Sequence, residues 1–152
     1  MRIGIALLGL ALAALPPGSA HADAAAIGYV KTLSGTATLV SAGDQGGRPI
    51  SIGTPLHEHD QVETGRDGQI GITFCDDTRI TLGPNSRVDL ARFIFKPVDK
   101  NYGFVLRLAY GTMQYLSGLT AKLAPDAMSI ETPGATIAVR GTRLLIRAEK
   151  SS

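Results

Sequence analysis

The sequence predicts an all-β protein, a solenoid-like stack of short strands and tight turns, with a β-sandwich as the alternative. Three observations predict it. Past Ala26, apolar residues recur at every second position in short runs, which is the period of a strand with one buried face. Turn residues punctuate those runs, and 18 Gly and 8 Pro in 152 residues, with no three-residue glycine period, suit many short strands rather than collagen. Helical spacing is nearly absent, and only Ser117 to Leu123 offers a short helical turn.

Taken in order, Gly28 to Val40 reads as a hairpin around Ser34-Gly35, and the Gly43 to Gly47 loop follows it. Ile50 and Ile52 alternate with Ser51, which predicts a strand there. Ile70, Ile72 and Phe74 alternate with Gly71 and Thr73 after the turn Thr64 to Gly68. Asp76-Asp77 closes that strand, and Ile80 and Leu82 flank Thr81 in the next one. Gly83-Pro84-Asn85-Ser86 is a turn by composition, because Pro presets one turn dihedral and Gly and Asn accept positive φ. Val88 and Leu90, Phe93 and Phe95, Phe104 to Leu108, and Met113 and Tyr115 continue the alternation. After Thr132-Pro133-Gly134 it closes with Ile137 and Val139, then Leu144 and Ile146. A weak internal repeat runs through three of these segments, starting at Val62, Ile80 and Ile130. Each begins with an apolar residue, passes a Gly or Pro turn and enters an alternating strand, one unit of a stacked architecture.

Met1 to Ala22 has the parts of a secretory signal peptide: a basic Arg2, an apolar run from Ile3 to Leu15 and the small-residue site Ala20-His21-Ala22. Cleavage is expected after Ala22, leaving residues 23–152 as a single domain that begins at Asp23. The apolar run is shorter than the roughly 20 residues that span a bilayer, so no stable membrane insertion is expected after cleavage. With 44% hydrophobic residues and a net charge of +2 the chain is not a disordered one. Near-neutral charge argues against nucleic acid, whose phosphates demand a basic stripe. A single cysteine excludes an intrachain disulfide.

Three motifs within residues 53–142 carry a resemblance. The first is Gly53-Thr-Pro-Leu56 with Asp60, Val62, Thr64 and Gly65. The second runs from Phe74-Cys-Asp76-Asp-Thr78 through Gly83, Asn85 and Ser86 to Leu90. The third is Thr132-Pro133 followed by Ala138-Val-Arg140-Gly141-Thr142. In order and spacing they resemble the FecR domain, the periplasmic module named for the ferric-citrate regulator. The resemblance implies an all-β, solenoid-like module that works by contact with other proteins, in the regulators between an outer-membrane transducer and an anti-sigma segment. Here a signal segment leads directly into the domain, so a free-standing exported FecR-like protein is expected. Where the family favours Gly-Asp and Asp-Gly, this chain has His59-Asp60 and Asp76-Asp77, and Asp can take a left-handed turn position at modest cost.

Candidate chemistry is sparse. His57 and His59 point to the same face of an extended strand and are candidate metal ligands, with Cys75 or Asp76 as a third. Cys75 has acidic neighbours, which work against a reactive thiolate, and an intermolecular disulfide is its other reading. Arg140 is expected to clamp Asp60, Asp77 or Asp89 through its guanidinium fork. No nucleophile elbow, phosphate-cradling loop or zinc-protease motif is present. The expected protein is therefore non-enzymatic, needs no cofactor, lies in the periplasm or is secreted, and recognises another cell-envelope protein in signalling or assembly. A polysaccharide-binding or metal-binding periplasmic protein is the alternative.

Overall fold

The computed structural model describes residues 24–141 and 143–151. The signal segment Met1 to Ala22, the expected new N-terminus Asp23 and the motif residue Thr142 lie outside the described residues. The strands are β1 (Gly28–Ser34), β2 (Ala37–Val40), β3 (Arg48–Pro49), β4 (Pro55–Leu56), β5 (Gln61–Thr64), β6 (Gln69–Phe74), β7 (Arg79–Leu82), β8 (Arg87–Lys96), β9 (Asn101–Leu116), β10 (Met128–Thr132), β11 (Ala135–Ala138) and β12 (Arg143–Ala148). One short helix, α1 (Leu119–Leu123), and a 3-10 turn at Pro125–Ala127 separate β9 from β10. The all-β expectation holds, and the helical turn falls inside the segment that the sequence allowed.

The expected stack of short strands takes the form of one continuous sheet, curled into a half-barrel and ordered β3-β2-β5-β8-β9-β7-β6-β1-β4. Its pairs are antiparallel except β9 with β10. The long β9 decides the shape. Its first part, Asn101 to Tyr110, pairs with β8, and its last part, Met113 to Leu116, pairs with β7. Between them Gly111 sits at φ 95°, where a Cβ would run into Ser86, and only glycine takes that dihedral without steric cost. The sheet thus has two limbs. One limb holds β4, β1, β6, β7, the end of β9 and β12; the other holds β3, β2, β5, β8, the start of β9, β10 and β11.

Four chain segments cross between the limbs along one seam: β1 to β2 through Gly35-Thr36, β5 to β6 through Gly65–Gly68, β7 to β8 through Gly83–Ser86, and β9 through Gly111. The first two units of the internal repeat are two of these crossings. They run in opposite directions, so β5 pairs with β8 and β6 with β7, and their turns meet face to face. The third unit becomes the β10–β11 hairpin and stands apart from the seam.

Alternation along each strand delivers the apolar side chains to the inside of the curl. Val30, Leu39, Val62, Ile70, Ile72, Ile80, Leu82, Leu106 and Leu108 are all buried there. The limbs are joined through three phenylalanines: Phe74 meets Phe104 edge-on at 4.8 Å, and Phe104 meets Phe93 edge-on at 4.9 Å, the arrangement aromatic rings prefer. One expected strand does not form. Ile50 is buried, but Ile52 is 65% exposed, because Ser51 and Thr54 close a turn (Thr54 N–H to Ser51 O, 3.2 Å) with Gly53 at φ 88°. Alternation over three residues is too short to outvote a turn that a positive-φ glycine fixes.

Candidate functional site

The motif residues gather at three turns. At the seam, Thr64 and Ser86 are buried and bound to each other. The Thr64 N–H donates to the Ser86 carbonyl (2.8 Å), and the Ser86 N–H donates to Thr64 Oγ1 (2.9 Å). Thr64 Oγ1 donates to the Gly83 carbonyl (2.6 Å), and the Asn85 N–H donates to the Gly65 carbonyl (3.0 Å). Ser86 Oγ donates to the Pro84 carbonyl (3.0 Å) and accepts from the Thr112 N–H (2.9 Å). These bonds pair the buried side-chain oxygens of Thr64 and Ser86 with backbone groups of the crossings, as burial of polar groups requires. Two residues outside the motifs complete the seam. Thr36 donates its hydroxyl to Asp67 Oδ1 (2.6 Å) and its carbonyl accepts from the Gly65 N–H (2.9 Å). That hydroxyl bond holds the Asp67 carboxyl below its ordinary range.

At the second turn Asp76 is fully buried. Its Oδ1 accepts from the Thr78 N–H (3.0 Å), and its Oδ2 accepts from Thr78 Oγ1 (2.9 Å) and from the Thr120 N–H (3.3 Å). The Asp76 carbonyl accepts from the Leu119 N–H (2.7 Å). This carboxylate ties the start of α1 to the β6–β7 turn, over Gly118, whose position leaves no room for a Cβ. Tyr115 and Thr120 bury hydroxyls here that find no partner among the described residues. Burial, with the Asp76 charge beside it, pushes the Tyr115 phenol up to about 12. Burial and then Asp76 also raise the Cys75 thiol, which disfavours the thiolate. Cys75 Sγ lies 3.3 Å from the Ala26 carbonyl.

At the third turn Asp60 is buried, accepts from the His57 N–H (2.8 Å) and lies 3.6 Å from His57 Nδ1. Its backbone joins β8 through the Leu90 N–H (2.8 Å). His59 and Asp77 have φ of 71° and 66°. Both positions where the resemblance sets a glycine are therefore left-handed, as the Asp76-Asp77 substitution anticipated. His57 turns to Asp60, while His59 faces Glu58 at 3.2 Å. Asp76 is taken up by its own turn, and among the described residues no group of three His, Cys, Asp or Glu is placed to hold a metal ion.

Gly53, Thr132, Pro133, Arg140 and Gly141 lie away from these turns. Thr132 Oγ1 donates to the Ala135 carbonyl (3.2 Å) within the β10–β11 hairpin. The carboxylate clamp expected of Arg140 does not form: Arg140 is exposed and in no ion pair among the described residues. Val139 turns inward beside it, which sends Arg140 to solvent. Asp60 is engaged by His57 and Asp89 by Gln61 (2.6 Å).

Beside the seam opens a cleft of about 620 Å³, walled by Glu63, Tyr110, Arg147, Glu149 and Lys150 over Asn85 and Gly111. Tyr110 donates its hydroxyl to Glu63 Oε1 (2.8 Å), and Lys150 Nζ lies 5.1 Å above the Tyr110 ring. Burial first, and that bond second, hold the Tyr110 phenol above its ordinary value. A fixed phenol between an acid and a cation is equipment for polar recognition. Tyr110 belongs to none of the three motifs, and only the pairing of β5 with β8 and of β8 with β9 brings Glu63 to it. Among the described residues no helix is long and apolar enough to cross a membrane.

A family model described as FecR protein matches residues 60–152. Neither a curated protein nor a solved structure matches the chain.

Proposed function

From the premise that this chain belongs to the FecR family, we propose that it is a non-enzymatic protein-interaction module of the cell envelope, exported by its signal segment to the periplasm or beyond. The family serves envelope signalling, and a module of that kind acts by being recognised. One observation carries the reading. Four buried polar residues of the family motifs, Thr64, Asp76, Ser86 and Asp60, direct side-chain oxygens at backbone N–H and C=O groups of the turns. Their chemistry is used to hold the frame, and the partner is left to the exposed faces and to the cleft at Tyr110.

In-cell crosslinking of the full chain, tagged at its C-terminus, tests this. Specific recovery of another envelope protein, such as an outer-membrane receptor, a membrane-bound regulator or a secretion component, is the expected result. Recovery of abundant background alone would overturn it and put glycan or metal binding first.

A further inference from the structure

The two limbs differ in charge. The strands of the limb built from β3, β2, β5, β8, β10, β11 and the start of β9 mix their charges, with Glu63, Asp89 and Glu131 among Arg48, Arg87, Arg92, Lys96 and Arg107, and Arg107 pairs with Glu131 at 2.9 Å. The strands of the other limb carry Lys31, Arg79, Arg143 and Arg147 without one Asp or Glu. All four cations are exposed, and none is in an ion pair among the described residues. The pairing registers place Arg143, Leu116, Arg79, Thr73 and Tyr29 in one row across the outer face, and Leu145, Gln114 and Thr81 in the next. Tyr29 and Leu145 are 42% and 79% exposed on that face.

β12 is the outermost strand of this limb. It pairs with β9, and no strand among the described residues pairs with its other side. An open edge offers main-chain donors and acceptors to another chain. Side-chain alternation puts Arg143, Leu145 and Arg147 together outward while Ile146 and Ala148 face in. A strand laid against this edge would set alternate side chains opposite those three.

Resting on the interaction reading above, we propose that β12 is a docking edge for an extended acidic segment of the partner protein, seated by strand addition. Main-chain bonds supply the affinity in such a mode and alternate side chains the specificity. The segment that fits has the pattern acid-x-apolar-x-acid: two carboxylates for Arg143 and Arg147, and between them an apolar side chain to cover Leu145. Charge alone would suit a polyanion of any kind. The exposed leucine between the two arginines and the open strand edge single out a polypeptide.

The test uses the full mature chain and a labelled peptide Ser-Glu-Thr-Val-Thr-Glu-Ser. Saturable binding is expected, weakened about tenfold or more in Arg143→Glu/Arg147→Glu by loss of charge-assisted contacts, with the melting temperature unchanged. Two further peptides carry N-methyl groups on one or the other set of alternate amides. Only the set facing β12 is expected to abolish binding, because an added strand bonds along one edge. Equal binding by both methylated peptides, an unaffected double variant, or no binding by the parent peptide would each overturn the proposal. A photocrosslinker placed at position 145 or position 110 in cells separates it from the broader reading. Capture at 145 of a protein carrying the acid-x-apolar-x-acid segment supports the docking edge. Capture of an envelope protein at 110 alone removes the docking edge and leaves an interaction module. Capture at neither removes both.

Discussion

Adjacent residues in one turn have opposite energetic roles. Asp76 accepts three hydrogen bonds in a fully buried position, and Asp76→Ala would strand the Thr78 and Thr120 N–H groups at a cost of about 3 kcal/mol or more. Asp77 is exposed and held at φ 66°. Asp77→Gly relieves that conformation and is expected to gain about 0.5–1 kcal/mol after the added freedom of the unfolded chain is subtracted. Denaturant melts of the two variants should move in opposite directions, and a shift in the same direction would refute the assignment. Tyr115 adds a pH dependence. Its phenol is pushed up to about 12 in the folded protein, against an ordinary value of about 10 when unfolded. Stability tied to it is therefore fully present below pH 10 and falls as pH rises toward 12, where the unfolded chain has lost a proton that the folded one keeps. Tyr115→Phe should flatten that alkaline loss and leave neutral-pH stability equal or higher, since the hydroxyl it removes is buried without a partner. Chemical melts at pH 7 and 11 measure both effects.

Among the elements, β9 is the one on which the two limbs depend. Gly111→Ala would place a methyl group against Ser86 at a dihedral that suits only glycine, and a loss of about 3 kcal/mol or more is expected. A loss below 1 kcal/mol in a denaturant melt would show that the bend is not fixed there. Legibility follows the same line. The strands were readable because period-two burial is a local signal, and Thr64 and Gly65 were readable in one motif and Gly83, Asn85 and Ser86 in another. That they form one unit was not, because their bonds join residues 19 to 22 positions apart, and no spacing rule announces which turns will meet. Thr36 and Asp67, 31 positions apart, gave no signal at all. Arg140 was misread for a related reason: which carboxylates it can reach depends on limb placement, and two of the candidates, Asp60 and Asp89, are engaged elsewhere. Ile52 was lost to a turn, and Leu145 and Arg147 looked like ordinary members of an alternating strand until pairing put them on an open edge.

At the scale of the molecule, one phenylalanine from one limb and two from the other close the half-barrel. Because β9 belongs to both limbs, neither can unfold without pulling on the other. Phe104→Ala, at a fully packed position, is expected to cost about 3–5 kcal/mol. Far-UV and near-UV circular dichroism should still report a single coincident transition. Two separated transitions would mean that the limbs are independent. The seam also governs how this chain can change length. Adding or deleting one residue at a crossing would turn every side chain beyond it to the opposite face, exchanging core for surface along a whole strand. The loops at Ser41–Gly47 and Pro97–Lys100, which join strands of one limb and are exposed apart from half-buried Ser41, carry no such penalty. Tags, fluorophores and natural insertions alike belong there, and chains of this architecture should differ in length at those loops and keep the residue count between crossings fixed.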